Sequence, residues 1–286
     1  MMKRACRAST KKHLSLRDAS VIFCALLCAG VLAGCWRMQH PTVQKAVIPS
    51  NMVFVQGGSL TNAGNGWITV RSFYIGKYEV TWSEWQTVRK WAATHGYDIG
   101  SVGDGSATNH PVHSVNWYDC LKWCNARSQM EGRTPVYTTG RVIYKSGQTE
   151  DIVVNASATG YRLPVSEEWE FAARGGTRSH GYEYSGNNNV NVVAWYEANK
   201  FPTGTKAVGT KAWNELWLHD MSGNVEEWCF DKPPAYANAI RVTRGGYWYA
   251  DAHMCRAAGH RNANDPKFRD KHTGFRVLLP PDQQLK

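Results

Sequence analysis

Apolar residues recur along this chain with two clear periods and, near its C-terminal end, with none. Met52 to Val55 is a short apolar run closed by Gly57 and Gly58, which reads as a strand. Phe73 to Val80 alternates, predicting a second strand with Phe73, Ile75 and Val80 inward. The period then changes. Thr81 followed three residues later by Glu84 has the form of a capping box, so a helix should run from Trp82 to about Thr94 and stop at Gly96, with Trp82, Trp85, Val88 and Ala92 on one face. Asn116 can cap a second helix, from Trp117 to about Met130, with Trp117, Leu121 and Cys124 on its buried stripe. Val136 to Val154 alternates in two runs around Lys145 to Gln148, as a hairpin would. Ser166 to Ala173 predicts a short third helix, ended by Gly175. Helices and short strands in this order predict a single α+β domain over residues 51–280, with long looped stretches.

Residues 244–277 behave differently. Arg244-Gly245-Gly246 opens the stretch with a backbone able to turn tightly or to approach another element closely. Gly274 to Val277 closes it with a turn glycine leading into a final alternating strand. Between them the Tyr, Asp, His, Asn, Lys and Phe residues follow neither a helical nor a strand period, as in a surface loop system chosen for contact.

Composition changes the picture at the N-terminus. Residues 1–34 join a basic segment to an apolar run, Ala19 to Val31, and end in Leu32-Ala33-Gly34 before Cys35. A basic region, a short apolar core and small residues at a cleavage site predict an export signal, too short for a permanent span. The tripeptide before Cys35 resembles a bacterial lipobox, which implies cleavage there and lipidation of the Cys35 thiol. Multiple acyl chains would anchor the protein to a bacterial outer membrane or cell surface. Residues 35–50 then read as a lipidated tether, with a reach of roughly 20 Å.

The signal also explains much of the charge. The chain is +10, but residues 1–34 hold six of its 33 basic and one of its 23 acidic residues, leaving +5 for the rest. No basic, aromatic-interleaved motif remains, which argues against a nucleic-acid partner. Of eight cysteines, Cys6, Cys24 and Cys28 belong to the signal and Cys35 to the anchor. Cys120, Cys124, Cys229 and Cys255 could pair in three ways in an exported setting, and no CxxC pair suggests zinc. Thirteen tryptophans and 26 glycines predict irregular loops pinned by large aromatic side chains.

Five motifs carry a family resemblance: Val115 to Asp119, Tyr161 to Gly176, Asp220 to Cys229, Arg244 to Gly246 and Gly274 to Arg276. In this order they resemble the formylglycine-generating enzyme, or sulfatase-modifying factor, family. The resemblance implies a C-type lectin-like fold, poor in regular structure. In the family's enzymes two cysteines shortly after the Arg-Gly-Gly motif bind copper and activate oxygen. Here Tyr247 to Ala250 stands where the first should fall, and only Cys255 matches the second. Cu(I) needs at least two soft ligands, so a copper-dependent oxidase acting on a peptide cysteine is the alternative function rather than the first. The resemblance also implies one structural calcium held by Asp220, Gly223, Val225 and Glu227, with no other cofactor required. A second family site, at Asn199 and the Lys200 carbonyl, lacks its acidic insertion.

A lipoprotein signal, this fold and a C-terminal block of free-looking residues in a fixed frame are similar to the variable lipoproteins of diversity-generating retroelements, the treponemal type above all. That resemblance implies a non-catalytic receptor or adhesin whose frame is Arg244, Gly245, Gly246, Trp248, Cys255 to Ala258, Arg261, Pro266, Arg269 and Gly274. Its ligand-binding face would comprise Tyr247, Tyr249, Ala250, Asp251, His253, Met254, Gly259, His260, Asn262, Ala263, Asn264, Lys267, Phe268, Asp270, Lys271 and His272. Such a face suits a protein or a glycan, since tyrosine, histidine and asparagine combine large contacts with adaptable hydrogen bonds.

Overall fold

In the computed structural model the described residues are 47–61, 66–233 and 240–281, all within one compact unit, Ala46–Lys286. The signal segment, Cys35 and most of the tether lie outside them. Among the described residues no helix is long and apolar enough to cross a membrane.

Strand β1 (Met52–Val55) leads into a hairpin of β2 (Gly58–Thr61) and β3 (Trp67–Val70), then β4 (Phe73–Gly76). Phe73, Ile75 and Val80 are buried, as the alternation predicts. The capping box then starts α1 (Trp82–Ala93): Thr81 Oγ1 accepts from the Glu84 backbone N–H at 3.3 Å, and Glu84 returns a carboxylate oxygen to the Thr81 N–H at 3.0 Å. Trp85, Val88 and Ala92 face the core, Trp82 is half-buried, and Gly96 reverses the chain at φ +77°.

Helix α2 (Trp117–Met130) also begins with a reciprocal box, between Asn116 and Asp119. Its surroundings differ from the one-sided stripe expected. Every residue from Trp117 to Ser128 is buried, polar ones included. Asn125 shows why that is tolerable: its amide donates to the carbonyls of Tyr137 and Tyr144 and accepts from the N–H groups of Val136 and Tyr137. A buried amide with its bonding capacity filled costs little and fixes a loop. The segment after it forms β5 (Tyr137–Thr139), β6 (Val142–Ile143) and β7 (Ile152–Val154) in the order β6-β5-β7. The tight turn falls at Gly140 (φ +59°) and Arg141, earlier than the Lys145 turn expected, and β7 pairs on the other edge of β5.

Helix α3 (Ser166–Ala173) ends before Gly175 (φ +86°), and a short helix α4 (Val190–Val193) follows. The rest is loop until β8 (Glu226–Trp228), β9 (Arg241–Arg244), β10 (Asn262–Asn264), β11 (Thr273–Gly274) and β12 (Leu278–Leu279). Two sheets position the C-terminal half. One runs β10-β9-β8-β11, with β11 parallel to β8; the other runs β1-β4-β12. Phe275 to Val277 link them and are all buried, so the expected apolar-polar alternation fails at Arg276. Aromatic rings fill the core between α1 and α2, where Trp85 stacks on Trp123 at 6.0 Å and Phe275 meets both edge-on. Ile48 packs against this core and the Val47 carbonyl accepts from Arg133, so the last tether residues are seated on the domain.

Candidate functional site: the C-terminal face

The face stands on β8 and β9. Arg244, wholly buried, donates to the Glu170 carboxylate and to the His260 carbonyl, which ties the start of the block to α3 and to its own middle. The chain then turns through Gly245 (φ +100°) and Gly246 (φ +71°). A Cβ on Gly246 would lie 2.9 Å from the Cys255 sulfur, so the close approach expected of this pair is real. At the far end a Cβ on Gly274 would sit 2.3 Å from the Val112 carbonyl. Arg269 reaches Asp119 with two bonds, at 2.8 and 3.1 Å, and fastens the block to the N-terminus of α2.

Over this frame lies an aromatic and histidine patch. The Tyr247 ring stacks on His272 at 4.1 Å, and Tyr249 meets both rings edge-on, at 4.6 and 5.1 Å. Lys271 Nζ sits 5.8 Å from the rings of Trp248 and Tyr249. Beneath the patch is a carboxylate that pattern reading does not single out. Glu226 is buried and accepts from Thr243 Oγ1 at 2.8 Å, Asn262 Nδ2 at 2.8 Å, Asn264 Nδ2 at 3.3 Å and Thr273 Oγ1 at 3.2 Å. His272 lies between Asp270, 3.0 Å from its Nε2, and Glu226, 3.7 Å from its Nδ1. Burial lowers the proton affinity of His272 and outweighs both carboxylates. Burial likewise pushes the Tyr247 hydroxyl up to about 12, so the patch is neutral apart from its acids and Lys271 at pH 7.

The structure sorts the sixteen face residues into two kinds. Asp251, His253, Gly259, Ala263, Lys267, Phe268 and Lys271 are exposed, and Tyr247, Tyr249, Met254 and Asp270 are half-buried around them. Ala250 must be corrected: it is 2% exposed and its carbonyl accepts from the Glu197 N–H. His272, 8% exposed, supports the patch from below. Asn262 and Asn264 point their amides at Glu226, and His260 bonds Asn262 at 3.2 Å, so these three brace the face. The signal that could have revealed them was the Asn-x-Asn spacing of a strand, which puts both side chains on one side of β10.

The chemistry implied by the family resemblance fares differently. Cys255 is buried, and burial pushes its thiol up to about 12. All four described cysteines are free, so none of the three possible pairings forms among them. Cys255 packs with Tyr184 and Tyr196, while Cys229 and the Cys120–Cys124 pair sit in other clusters of the core. One isolated, protonated thiol does not fit copper.

Calcium does not fit either. Both oxygens of Glu227 receive the Arg276 guanidinium at 2.6 Å, and one also accepts from Trp169 Nε1 at 2.7 Å. The Val225 N–H is held by Glu79. Asp220 Oδ1 is buried without a partner, and burial raises the Asp220 carboxyl to about 6. At the second family position, Lys206 Nζ donates to the carbonyls of Lys200, Pro202 and Gly204 at 3.0, 2.6 and 2.8 Å. A side-chain cation thus takes one expected ligand of each site, Arg276 the Glu227 carboxylate and Lys206 the Lys200 carbonyl. Among the described residues no cluster of three or more His, Cys, Asp or Glu is arranged to hold a metal.

Comparison with known proteins agrees with the motifs. The model of the sulfatase-modifying factor enzyme 1-like domain matches residues 39–280. Chaperone protein LppX of Paenibacillus barcinonensis is 34% identical over 259 residues, 80% of this chain and 87% of that protein. Among solved structures, CarF superposes with a TM-score of 0.73 at 30% identity, covering 82% of this chain and all (100%) of that one. Treponema denticola variable protein 1 superposes with a TM-score of 0.64 at 28% identity, covering 80% of this chain and 95% of that one. The chain belongs to the sulfatase-modifying factor family and has its C-type lectin-like α+β fold.

Proposed function

We propose that this member of the sulfatase-modifying factor family is a non-catalytic binding protein, lipid-anchored through Cys35 at a bacterial outer membrane or cell surface, that presents residues 247–273 to a macromolecular ligand. One observation carries the reading. The exposed side chains of the block stand on a second set, Asn262, Asn264, Thr243, Thr273 and His272, gathered around the buried carboxylate of Glu226. Outer residues can then change without disturbing the frame, which is what a diversified binding face requires. The likeness to a treponemal variable protein supports the same reading. So does Tyr247, which stands in the stretch where a copper-binding enzyme needs its first cysteine.

The 3′ end of the gene tests the diversified face. A nearby near-copy differing only at template adenines, beside a reverse transcriptase gene, is expected; without both, this face is not rewritten. Incubation with copper, oxygen and a cysteine peptide should yield no formylglycine, and turnover would restore the oxidase reading. The likeness to a protein named as a chaperone favours a protein ligand over a glycan.

A further inference from the structure

We infer that the open edge of β1, on the sheet β1-β4-β12, is a docking groove for an extended, acidic peptide segment of a partner protein. The register pairs Val53 with Ile75 and Val55 with Phe73, while the Gly76 N–H turns to the Val277 carbonyl on the other side of β4. Main-chain groups alternate along a strand, so those of Phe54 point away from β4 towards the open edge. No residue of β1 is charged or proline, so the edge lacks the usual guards against strand addition.

This edge forms one side of a groove of about 400 Å³ lined by the whole run Met52 to Gln56, with Thr177, Arg178, Leu216 and Trp217 completing its lining. Trp217 is 55% exposed and Phe54 46% exposed. Trp217 holds a left-handed backbone, φ +61°, which a bulky residue adopts only when its surroundings enforce it. Buried Asn214 enforces it: its side chain accepts from the Leu216 and Leu218 N–H groups and donates to the carbonyls of Ala172 and Ala173, and its carbonyl takes the Trp217 N–H at 2.8 Å. The result is an outward tryptophan facing a strand edge that no described strand pairs.

Charge selects the occupant. Arg178 lies 5.8 Å from the Trp217 ring and has no carboxylate partner among the described residues. A second copy of the chain pairing here would bring a second unpaired Arg178 to the groove. A peptide adding as a strand satisfies the edge through its main chain and Arg178 through a glutamate or aspartate, with Phe54 and Trp217 covering its side chains.

The test uses the full chain and a fluorescent, end-blocked octapeptide alternating threonine and glutamate. Saturable binding is expected by anisotropy, at least about tenfold weaker for a threonine-lysine peptide or for the N-methylated glutamate peptide. Arg178→Glu should reverse the preference between glutamate and lysine peptides. Phe54→Pro removes an edge N–H together with the ring that lines the groove, a substitution edge strands tolerate, and should abolish binding with the thermal midpoint retained. Arg178→Glu, on an exposed side chain, keeps the test valid should Phe54→Pro unfold the protein. A Tyr247→Ala, Tyr249→Ala variant should bind the peptide unchanged, which separates this groove from the C-terminal face. Absence of saturable binding at millimolar peptide, equal binding of the N-methylated peptide, or indifference to Arg178→Glu overturns the inference. So does a dimer in sedimentation that Phe54→Pro dissolves, since a second copy would then own the edge.

Discussion

Glu226 and Glu227 are neighbours on β8, both buried, and they serve opposite sides of the molecule. Glu227 faces the scaffold and meets a full positive charge: Arg276 binds it through two nitrogens and also donates to the carbonyls of Gly76 and His219. Glu226 faces the display block and is met by two threonine hydroxyls and two asparagine amides, all neutral, with His272 held in its uncharged form. A bidentate charge pair admits one geometry. Neutral donors on short side chains can shift without stranding a charge. The scaffold is locked and the face is braced, by the same residue type one position apart.

The largest test of that contrast is to cut each brace. Glu227→Ala leaves Arg276 buried and unpaired, and should cost about 3–5 kcal/mol in urea unfolding. Glu226→Gln keeps shape and part of the hydrogen bonding, and should cost only about 1–2 kcal/mol. Its effect should appear in hydrogen exchange of residues 262–273, with the amides of α2 unchanged. Equal losses at the two positions would erase the distinction.

The two regions should also answer pH with opposite signs. On the scaffold, burial raises Asp220 to about 6 and raises Glu79, so the folded state holds protons that the unfolded state releases. Their contribution is present at low pH and is lost as pH rises towards 6 and beyond. On the face, His272 is depressed below its ordinary value, so the unfolded state binds the proton first, and its contribution is lost as pH falls below about 6.5. Urea midpoints from pH 4.5 to 7.5 check this. Asp220→Asn should steepen the loss on acidification, and His272→Gln should flatten it.

Smaller effects are expected elsewhere. EDTA should move the thermal midpoint by no more than about 1 °C, because Arg276 takes the Glu227 carboxylate and Lys206 the Lys200 carbonyl. A large shift would mean that Asp220 does recruit a cation. The smallest changes belong to the outer face: Lys267→Ala and Phe268→Ala should each alter stability by less than about 0.5 kcal/mol, since these side chains are exposed. A loss above about 2 kcal/mol at Phe268, which is 45% exposed, would place it in the frame.

Local signals were legible wherever neighbours along the chain settle the matter. The capping box of Thr81 with Glu84 forms and Asn116 caps α2 as expected, closing a second box with Asp119, because each is closed by residues three apart. Gly96, Gly175, Gly245 and Gly246 hold the left-handed backbone that their positions suggest. Legibility fell where a side chain's partner lies far along the chain. Nothing near Asn262 shows that it will meet Glu226, 36 residues earlier, and nothing near Ala250 shows that it will be covered. The turn misplaced at Lys145 is an exception, since the turn at Gly140 and Arg141 is closed locally by Thr139 and Val142, three residues apart.

By itself, then, the sequence determined where the three longer helices begin and end, which glycines turn the chain, the family, and the absence of a second cysteine after Arg244. All of these follow from backbone geometry or from residues written next to one another. Only the tertiary structure decided which of two adjacent glutamates would be locked by Arg276, which half of residues 247–272 would face solvent, and that Arg276 and Lys206 would each take one expected calcium ligand. Those outcomes depend on charges and donors brought together from distant parts of the chain, whose energies are settled by burial rather than by sequence spacing.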